Sequence, residues 1–433
     1  MNRVAFATLG CKTNQYETDA LMDLFFKNRY DIVSFEDLAD IYIINTCTVT
    51  HVGDKKSRQM IRRAKKNNPE SIVIVMGCYA QISTEEVSEI EEVDIVIGTD
   101  ARGKILDYIN DYIEGKHQKP YVIVEDIMNI NTFENMSLDS VATHTRAFVK
   151  IQEGCNQYCS YCIIPYARGH VRSRSSENVV EEIIRLTEKG YKEFVLTGIH
   201  IGSYGLDLEK TELMDLVEAI HQVDGVERIR LGSIEPRLIT DSFINRINAL
   251  PKICDHFHLS LQSGSDTVLK RMNRKYTTDQ FEKAVEKLRT IYLSPSITTD
   301  IIVGFPGETE EEFDETYEFL KKIHFSEMHI FPFSKREGTP AATMPDQIPS
   351  QTKKKRAEIL SELEAICRED YVDQFDGKVS EVLVEELKNE LYIGHTKNYL
   401  KVHIKTENTL KLGEIFTVKL KKIAPNQLFG EFI

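Results

Sequence analysis

The first quarter of the chain alternates short apolar runs with segments of helical periodicity. Three β-branched runs, each ending at a cysteine, are typical of buried strands: RVAFATLGC, IYIINTC and SIVIVMGC. The segments between them, such as YETDALMDLFFKNRYD, repeat apolar residues at helical spacing. Because a crossover helix returns the chain to the same end of a sheet, this order predicts parallel strands. We expect an α/β domain with a parallel sheet over residues 1–120.

The alternation of strands and helices resumes at Arg146, after a weakly patterned segment. That segment, residues 121–145, contains NINTFENMSLDSVATHT and predicts a linker. Six later runs are candidate strands: AFVKI, EFVLTG, RIRLGS, FHLSLQ, TTDIIVG and MHIFPF. Six β/α units are two short of a complete eight-stranded barrel. The pattern predicts a partial (β/α)6 barrel over residues 146–350, with an open side that suits a large substrate.

The hydrophobic period changes again towards the carboxyl terminus. Leu360, Leu363 and Ile366 recur at helical spacing and Cys367 continues the same side, so residues 351–372 predict a connector helix. The runs KVSEVLVEEL, YLKVHIK and EIFTVKLKKIA then alternate apolar and polar residues. We expect a small antiparallel β barrel over residues 373–433, a fold that often binds RNA.

Length, charge and hydropathy limit the class of protein. A chain of 433 residues is long for one domain, which agrees with the division above. The formal net charge of −14 argues against a surface built throughout to hold nucleic acid, although local basic patches are compatible with it. The first residues do not have the pattern of a secretion signal, and no apolar run of about 18 residues follows. We expect a soluble, cytoplasmic protein that does not contact membranes.

Three cysteines, here called the amino-terminal triad, directly follow the predicted strands of the first domain. Cys11, Cys47 and Cys78 each come after the carboxyl end of a strand, where open α/β sheets place their ligands. A buried core cysteine is the ordinary alternative for any one of them. Three at the same topological position favour a shared function. Because cytoplasmic thiols stay reduced, metal binding or redox chemistry is a better interpretation than disulfide formation.

A second group of cysteines, here called the CxxxCxxC triad, lies in the stretch EGCNQYCSYCIIP. Its members are Cys155, Cys159 and Cys162. A structural zinc site needs four ligands, and His170, the nearest histidine, would complete only a distorted one. Three closely spaced thiolates suit a 4Fe–4S cluster in which one iron has no protein ligand. Such an open iron is a place where a reactant binds.

The CxxxCxxC triad and its surroundings resemble the radical S-adenosylmethionine (SAM) superfamily. The three cysteines come directly after the first predicted strand of the partial barrel, and the aromatic Tyr161 precedes the third cysteine. With the amino-terminal triad and a terminal β barrel of the TRAM type added, the whole chain resembles the methylthiotransferases of that superfamily. Further matching motifs are CSYCIIPYARGHVRSR, LTGIHIGSYG, SLQSGSDTVLKRMNRKYT, TDIIVGFPGETEEEF and FPFSKREGTPAA.

This resemblance implies two 4Fe–4S clusters and SAM as cofactors. The open iron on the CxxxCxxC triad would bind the amino and carboxylate groups of SAM, and one electron would cleave SAM to a 5′-deoxyadenosyl radical. A second cluster on the amino-terminal triad would hold the sulfur that is transferred. The resemblance also implies a tRNA substrate, a low-potential electron donor such as flavodoxin or ferredoxin, and a monomeric enzyme.

Four residues are predicted to contact SAM, namely Tyr161, Gly198, Glu235 and Gln262. Gly198 would let the backbone approach the amino group of SAM, because glycine has no Cβ, although a strand-end turn explains it equally. Glu235 and Gln262 lie at the carboxyl ends of barrel strands, where they would bond the ribose or methionine part of SAM or only brace a loop.

Two sets of basic residues are candidates for binding anions. In DKKSRQMIRRAKKNNP a helix would bring Lys55, Arg58, Arg62 and Lys65 onto neighbouring faces, either as a phosphate-contacting surface or as a solvated one. Arg168, Arg172 and Arg174 follow the CxxxCxxC triad. They are expected to meet a phosphate or the SAM carboxylate, or to form surface salt bridges.

Two motifs select among the branches of the methylthiotransferase family. LGCKTNQYET and NTCTVT resemble the branch that adds a methylthio group at carbon 2 of threonylcarbamoyladenosine beside the anticodon of tRNA. The alternatives are the branch acting on isopentenyladenosine in tRNA and the branch acting on an aspartate of a ribosomal protein. An iron-sulfur protein that binds RNA or senses redox state without turnover is the alternative from another class.

Overall fold

The computed structural model describes residues 2–139, 145–209 and 211–433. An amino-terminal α/β domain, a partial barrel and a closed terminal barrel follow one another along the chain. Within the described residues, no helix is both long and apolar enough to span a bilayer. The predicted α/β class and the two predicted barrels are confirmed.

The amino-terminal domain is built on a six-stranded parallel sheet. Its strands are β1 (Arg3–Thr8), β2 (Asp31–Val33), β3 (Ile41–Thr46), β4 (Ile72–Gly77), β5 (Ile95–Ile97) and β6 (Tyr121–Ile123). Their spatial order is β2-β1-β3-β4-β5-β6. Its helices are α1 (Lys12–Lys27), α2 (His51–Asn67), α3 (Cys78–Ile82), α4 (Thr84–Ser88) and α5 (Ile105–Ile113). Every residue of β3 and β4 is buried, which explains their nearly unbroken apolar runs.

The segment predicted as a linker, residues 121–145, begins inside this sheet. Its first three residues form β6, which pairs in parallel with β5. Further along, the Met136 carbonyl accepts a hydrogen bond from the Tyr16 hydroxyl, and Leu138 is buried. Residues 140–144 lie outside the described residues. The sheet therefore extends past the expected boundary at residue 120, because a three-residue edge strand is too short to show a period.

The central part of the chain forms six parallel β/α units. Its main strands are β7 (Ala147–Lys150), β10 (Glu193–Thr197), β11 (Arg228–Leu231), β12 (His256–His258), β13 (Ser296–Val303) and β14 (Glu327–Pro332), and the short strands β8 (Gln152–Glu153) and β9 (Arg172–Ser173) pair with each other. Two sheets, β7-β10-β11 and β12-β13-β14, are joined by the bridges Ile229–Ile253 and Ile234–Leu259. The helices are α6 (Ile164–Arg168), α7 (Ser176–Glu188), α8 (Leu213–His221), α9 (Asp241–Asn248), α10 (Asp266–Arg271), α11 (Thr278–Ile291), α12 (Glu310–Ile323) and α13 (Pro340–Thr343).

The interior of the partial barrel, here called the lumen, is polar. One set of alternating strand residues packs outward into the core with the helices, among them Phe194, Leu196, Ile229 and Leu231. The other set faces inward, among them Arg230, His256, His258, Asp300 and His329. On the neighbouring strands β12, β13 and β14, His258 Nε2 lies 3.2 Å from Asp300 Oδ2, and the His258 and His329 rings are 5.9 Å apart. Closed barrels fill this space with branched apolar side chains, so the polar lumen differs from the interior of a complete barrel.

The terminal barrel is closed, with one parallel pairing. Its strands are β15 (Val379–Lys388), β16 (Leu391–Thr396), β17 (Lys401–Ile404), β18 (Ile415–Ala424) and β19 (Gln427–Phe432), in the order β15-β16-β17-β19-β18. Strands β17 and β19 pair in parallel, whereas the other four pairings are antiparallel. The expectation of a purely antiparallel barrel is wrong at this one pair, because the chain crosses over before its last hairpin.

The connector helix is α14 (Ser350–Asp373), close to its predicted bounds. Leu360, Leu363 and Cys367 are buried as expected. Ile366 was expected on the same apolar side, but it is 60% exposed. Cys367 faces inward instead, because it lies seven residues, or about two helical turns, after Leu360 and so shares its face. Ile366, six residues after Leu360, falls on a different face.

One aromatic residue of the terminal barrel closes the lower end of the lumen. The ring of Tyr399 stacks on His256, with ring centres 4.9 Å apart, and the Arg230 guanidinium lies 4.7 Å from it. Arg228 donates to the backbone oxygens of His395 and Glu381 in the same barrel. Tyr399 therefore covers the end of the lumen opposite the carboxyl ends of its strands.

A buried group of charges joins the amino-terminal domain to the partial barrel. Glu17 of α1 forms an ion pair with Arg102 at 2.6 Å and accepts hydrogen bonds from Arg168 at 2.5 Å and Lys150 at 2.8 Å. Burial alone would raise the pKa of Glu17, but these three cations outweigh it and hold the pKa well below its usual value. Glu17 thus stabilises the fold at neutral pH. This contribution declines as the pH falls below about 4.3, the value in the unfolded chain, towards the lower folded pKa.

Replacing Glu17 by glutamine should destabilise the protein far more than the same change at an exposed ion pair. Three buried cations would lose their shared partner, so we expect the free energy of unfolding to fall by about 3–5 kcal/mol. Glu36→Gln is the control, because its pair with Arg63 is exposed and should contribute less than about 1 kcal/mol. Urea unfolding of the metal-free chains measures both, and equal effects would contradict the role given to Glu17.

Candidate active site between two cysteine triads

The sheet brings the amino-terminal triad to one edge, as the sequence predicts. Cys11 is the N-cap of α1 after β1, Cys47 follows β3, and Cys78 is the first residue of α3 after β4. Strands β1, β3 and β4 are adjacent, so the three loops meet. A Cβ on Gly10, whose φ is +102°, would lie 2.8 Å from the Cys47 Cβ. Glycine is therefore required where the Cys11 and Cys47 loops touch.

The CxxxCxxC triad lies on a loop that is tied at its base. Strands β8 and β9 pair below it, and the Cys155 amide donates to the Gly169 carbonyl at 3.0 Å. A Cβ on Gly154, whose φ is +71°, would lie 1.8 Å from the His170 carbonyl oxygen, so only glycine fits there. The Cys162 amide donates to the Cys159 carbonyl at 2.9 Å, which folds the loop back and gathers its thiols.

Each triad has one guanidinium against a cysteine sulfur. Arg168 Nε donates to Cys78 Sγ at 3.1 Å, and Arg274 Nη1 donates to Cys159 Sγ at 3.2 Å. Burial raises the pKa of Cys78 to about 12, with Arg168 acting in the opposite direction. Burial likewise raises the pKa of Cys162 to about 12. In the bare protein these thiols stay protonated, and a metal must displace their protons to bind.

The arrangement of the thiols fits clusters better than single ions. Among the described residues, the one group of histidine, cysteine or carboxylate side chains compact enough for a single ion is His258, Asp300 and His329, so neither triad is such a site. His170 contacts Asn156 Oδ1 at 3.2 Å. All six thiols are free, and each triad supplies three ligands with a guanidinium beside them. That donor set suits a 4Fe–4S cluster with one open iron.

A cavity of about 310 Å³ lies between the two domains, with a wall beside each triad. Val49 and Thr50, which follow Cys47, form one wall, and Tyr161 and Cys162 form another. The barrel supplies the remaining walls through Gln262, Asp300, Ile302 and Phe333. A reactant in this cavity would touch the surroundings of both triads and the upper end of the lumen.

Of the four residues predicted to contact SAM, two line the cavity and two do not. Tyr161 and Gln262 line the cavity. Glu235 lies 3.1 Å from Arg274 Nη2, and although burial alone would raise its pKa, contacts with His200 and Arg274 lower it to about 2. Gly198 has a packing role, because a Cβ there would lie 2.9 Å from the Gln152 carbonyl oxygen. Arg274 thus links Glu235 to Cys159 of the CxxxCxxC triad, while Gly198 packs against Gln152.

The three arginines after the CxxxCxxC triad lie inside the protein rather than on its surface. Arg168, Arg172 and Arg174 are all buried. Arg172 Nη1 donates to the Arg168 carbonyl at 3.0 Å, and Arg174 Nη2 donates to Glu182 at 2.9 Å. The expectation of surface salt bridges is wrong, because the three side chains are buried and groups of the protein hold them. Contact with a phosphate or with the SAM carboxylate stays a prediction.

Half of the predicted basic surface on α2 is neutralised within the protein. Arg58 pairs with Glu86 at 2.8 Å, and Lys65 pairs with Asp94 at 2.9 Å. Lys55 and Arg62 are exposed to solvent. These two residues remain the candidates for contact with a phosphate.

Two arginines of the site were missed by the sequence analysis. Arg274 contacts both Cys159 and Glu235. Arg336 Nη1 lies 2.6 Å from Asp54 Oδ2, and its Nη2 donates to Thr48 Oγ1 at 2.5 Å, which ties the barrel to the loop after Cys47. Both lie in motifs that match the family, SLQSGSDTVLKRMNRKYT and FPFSKREGTPAA, but nothing in the local pattern distinguishes them from surface arginines.

Lys12, directly after Cys11, is the first residue of α1. Its side chain is exposed to solvent, yet desolvation together with Arg146 and Arg230 lowers its pKa to about 8, with Glu193 acting in the opposite direction. The charges that act on Lys12 therefore come from the partial barrel.

Comparison with known protein families divides the chain as the fold does. Residues 149–320 match the Radical SAM superfamily, residues 3–98 match the Uncharacterized protein family UPF0004, and residues 373–433 match the TRAM domain. The solved structure of the radical S-adenosylmethionine methyltransferase TsrM from Kitasatospora setae has a similar fold. Its TM-score is 0.59 at 14% identity, over 79% of this chain and 77% of that chain.

Several characterised proteins are similar over nearly their whole length. The threonylcarbamoyladenosine tRNA methylthiotransferase MtaB of Bacillus subtilis is 46% identical over 100% of this chain and 97% of its own. The protein of the same name from Aquifex aeolicus is 42% identical, over 96% and 99% respectively. The tRNA-2-methylthio-N(6)-dimethylallyladenosine synthase of Clostridium botulinum (strain Loch Maree / Type A3) is 35% identical, over 98% and 96%.

Proposed function

The chain belongs to the radical SAM methylthiotransferase family, and from this premise we propose that it adds a methylthio group to carbon 2 of threonylcarbamoyladenosine in tRNA. The modified adenosine lies beside the anticodon. SAM serves both as the methyl donor and as the source of the radical. The cavity with a wall beside each triad carries this proposal, since the reaction needs a radical source and a sulfur source at one base.

Two 4Fe–4S clusters are part of the proposal, one on each triad. When bound, the cluster on the CxxxCxxC triad supplies the electron that cleaves SAM, and the cluster on the amino-terminal triad supplies the site of the transferred sulfur. Arg168 and Arg274 would donate to the ligand sulfurs that they already contact. Hydrogen bonds to cluster sulfurs are one of the means by which a protein sets the reduction potential.

The residues of the cavity bind and orient the reactants in this proposal. Tyr161, Ile302 and Phe333 present apolar surface that suits the adenine of SAM and excludes water from it. Gln262 offers an amide to the polar parts of SAM. The buried network at Glu17 keeps the two triads at a constant separation, because Arg168 belongs to the same network and contacts Cys78.

The choice of threonylcarbamoyladenosine over dimethylallyladenosine is supported by two observations. The relatives named for the first substrate reach 46% identity, and those named for the second reach 35%. The motif LGCKTNQYET, which surrounds Cys11, resembles the branch that acts on threonylcarbamoyladenosine.

Mass spectrometry of tRNA nucleosides tests the substrate directly. Cells that lack the protein should lose 2-methylthio-threonylcarbamoyladenosine and accumulate threonylcarbamoyladenosine, and expression of the protein should reverse both changes. Loss of 2-methylthio-isopentenyladenosine instead would assign the protein to the other tRNA branch. A nucleoside profile that is unchanged in every methylthio product would rule out the tRNA substrate.

Single cysteine variants should separate the roles of the two triads. Cys159→Ala should abolish both SAM cleavage and methylthiolation, because it removes a ligand from the cluster that binds SAM. Cys47→Ala should abolish methylthiolation while 5′-deoxyadenosine is still formed. Each variant should lose roughly half of the bound iron. Iron, 5′-deoxyadenosine and modified nucleoside are measured on the same reconstituted samples.

Cys367→Ala provides the matched control for these variants, since Cys367 is buried in α14 away from both triads. It should keep the wild-type iron content and activity. Circular dichroism must show the wild-type fold for each variant. Full methylthiolation or wild-type iron in Cys47→Ala would refute the assignment of a second cluster.

The exposed cations of α2 should contribute to tRNA binding. Lys55→Glu and Arg62→Glu together should weaken the affinity for tRNA, and each lost phosphate contact should lower the slope of log affinity against log salt by about one. The control is Lys65→Gln, whose side chain is already paired with Asp94. Filter binding at several salt concentrations measures the slope. An unchanged slope in the Lys55 and Arg62 variant would make this face a solvated surface.

A further inference from the structure

Three neighbouring strands of the partial barrel place two histidines and an aspartate on one inward face. His258 of β12 lies opposite Thr298 of β13, and Asp300 of β13 lies opposite His329 of β14. Because strand residues two apart point to the same side, Thr298 and Asp300 share the face that meets both histidines. His258, Asp300 and His329, here called the lumen cluster, each offer one ligand atom, and these atoms all lie within 4.8 Å of one another.

The His258 ring is held at one nitrogen and faces Asp300 with the other. His258 Nδ1 lies 3.0 Å from Thr298 Oγ1, and His258 Nε2 lies 3.2 Å from Asp300 Oδ2. A histidine that binds a metal through one ring nitrogen is normally held at its other nitrogen by a hydrogen-bonding partner. Thr298 supplies that partner. His258 Nε2 therefore has the orientation that an ion shared with Asp300 requires.

The other two members of the lumen cluster are not committed to basic or hydrogen-bonding partners. Among the described residues, no lysine or arginine lies within ion-pair distance of the Asp300 carboxylate. The His329 ring makes no hydrogen bond to another described residue. Arg230 and Arg274 each pair with a glutamate instead. A cation at Asp300 would thus not have to displace an arginine.

We propose that the lumen cluster binds one divalent transition-metal ion, such as Zn²⁺ or Fe²⁺. Two imidazoles and one carboxylate form a donor set that these ions use in proteins. Calcium and magnesium instead favour sites made of oxygen ligands. The site shares no residue with either cysteine triad, and it does not depend on the substrate proposed above.

The position of Asp300 puts the bound ion at the wall of the cavity. Asp300 lines the cavity between the two domains, together with Gln262 and Ile302. Three protein ligands leave at least one coordination position, which catalytic zinc sites keep for water or a reactant. An ion on the lumen cluster therefore keeps a position for water or for an oxygen of a molecule in the cavity.

Equilibrium dialysis of the reconstituted protein against Zn²⁺ tests the site. After excess metal is removed with EDTA, wild-type protein should bind about one equivalent of zinc without losing iron. His258→Gln, Asp300→Asn and His329→Gln should each weaken zinc binding by about 100-fold or more, because even the loss of an outer hydrogen-bonding partner costs about 10- to 100-fold. Zinc and iron are measured on the same samples by mass spectrometry of the elements.

X-ray absorption at the zinc edge identifies the ligands of the bound ion. Zinc on the lumen cluster should show nitrogen and oxygen ligands at about 2.0–2.2 Å and no sulfur at about 2.3 Å. The measurement uses wild-type protein, so it does not depend on whether the variants fold. Sulfur among the ligands would place the zinc on a cysteine triad and overturn the proposal.

His324→Gln is the matched control for the three variants. His324 Nε2 lies 3.1 Å from Asp370 Oδ2, a pair like that of His258 and Asp300, but among the described residues it has no third ligand. This variant should bind zinc as tightly as wild-type protein. The proposal is wrong if wild-type protein binds no zinc, or if the variants of the lumen cluster bind zinc as tightly as His324→Gln does.

Discussion

The buried charges around Glu17 are the constraint on which the active site depends. Glu17 and Arg102 come from the amino-terminal domain, whereas Lys150 and Arg168 come from the partial barrel, so two of the three cations reach the carboxylate only when the domains dock. A shift of either domain would leave charges unpaired in the interior, which is strongly destabilising. Arg168 also contacts Cys78 and ends the helix that follows the CxxxCxxC triad. The separation of the two triads is therefore set by this interaction.

Much of the fold was predictable because the decisive elements have long or distinctive periods. Strands β3 and β4 are wholly buried and appear as apolar runs, and the terminal barrel alternates apolar and polar residues. Strand β6 was missed because three residues cannot establish a period. The parallel pairing of β17 with β19 depends on how the chain crosses the barrel, and side-chain alternation is the same in parallel and antiparallel strands.

The cysteines of the site were predictable and its arginines were not. Cysteine spacing, and position after a strand, are local properties that a sequence displays directly. The role of an arginine depends on what surrounds it after folding. Arg168 looks like a surface residue until Glu17 and Cys78 are brought to it from the other domain, and Arg58 looks available until Glu86 pairs with it. Contacts between residues distant in sequence thus explain why some arginines were missed and why others were given the wrong role.

The polar lumen explains why the terminal barrel belongs to the site rather than only to RNA binding. A partial barrel whose interior carries Arg230, His256 and His258 cannot close on itself through apolar packing, as complete barrels do. Its lower end must instead be sealed by a group that tolerates cations, and the Tyr399 ring does this by stacking on Arg230 and His256. Without that ring, water would enter from below and weaken every electrostatic interaction in the lumen. The terminal barrel therefore sustains the charge environment of the lumen.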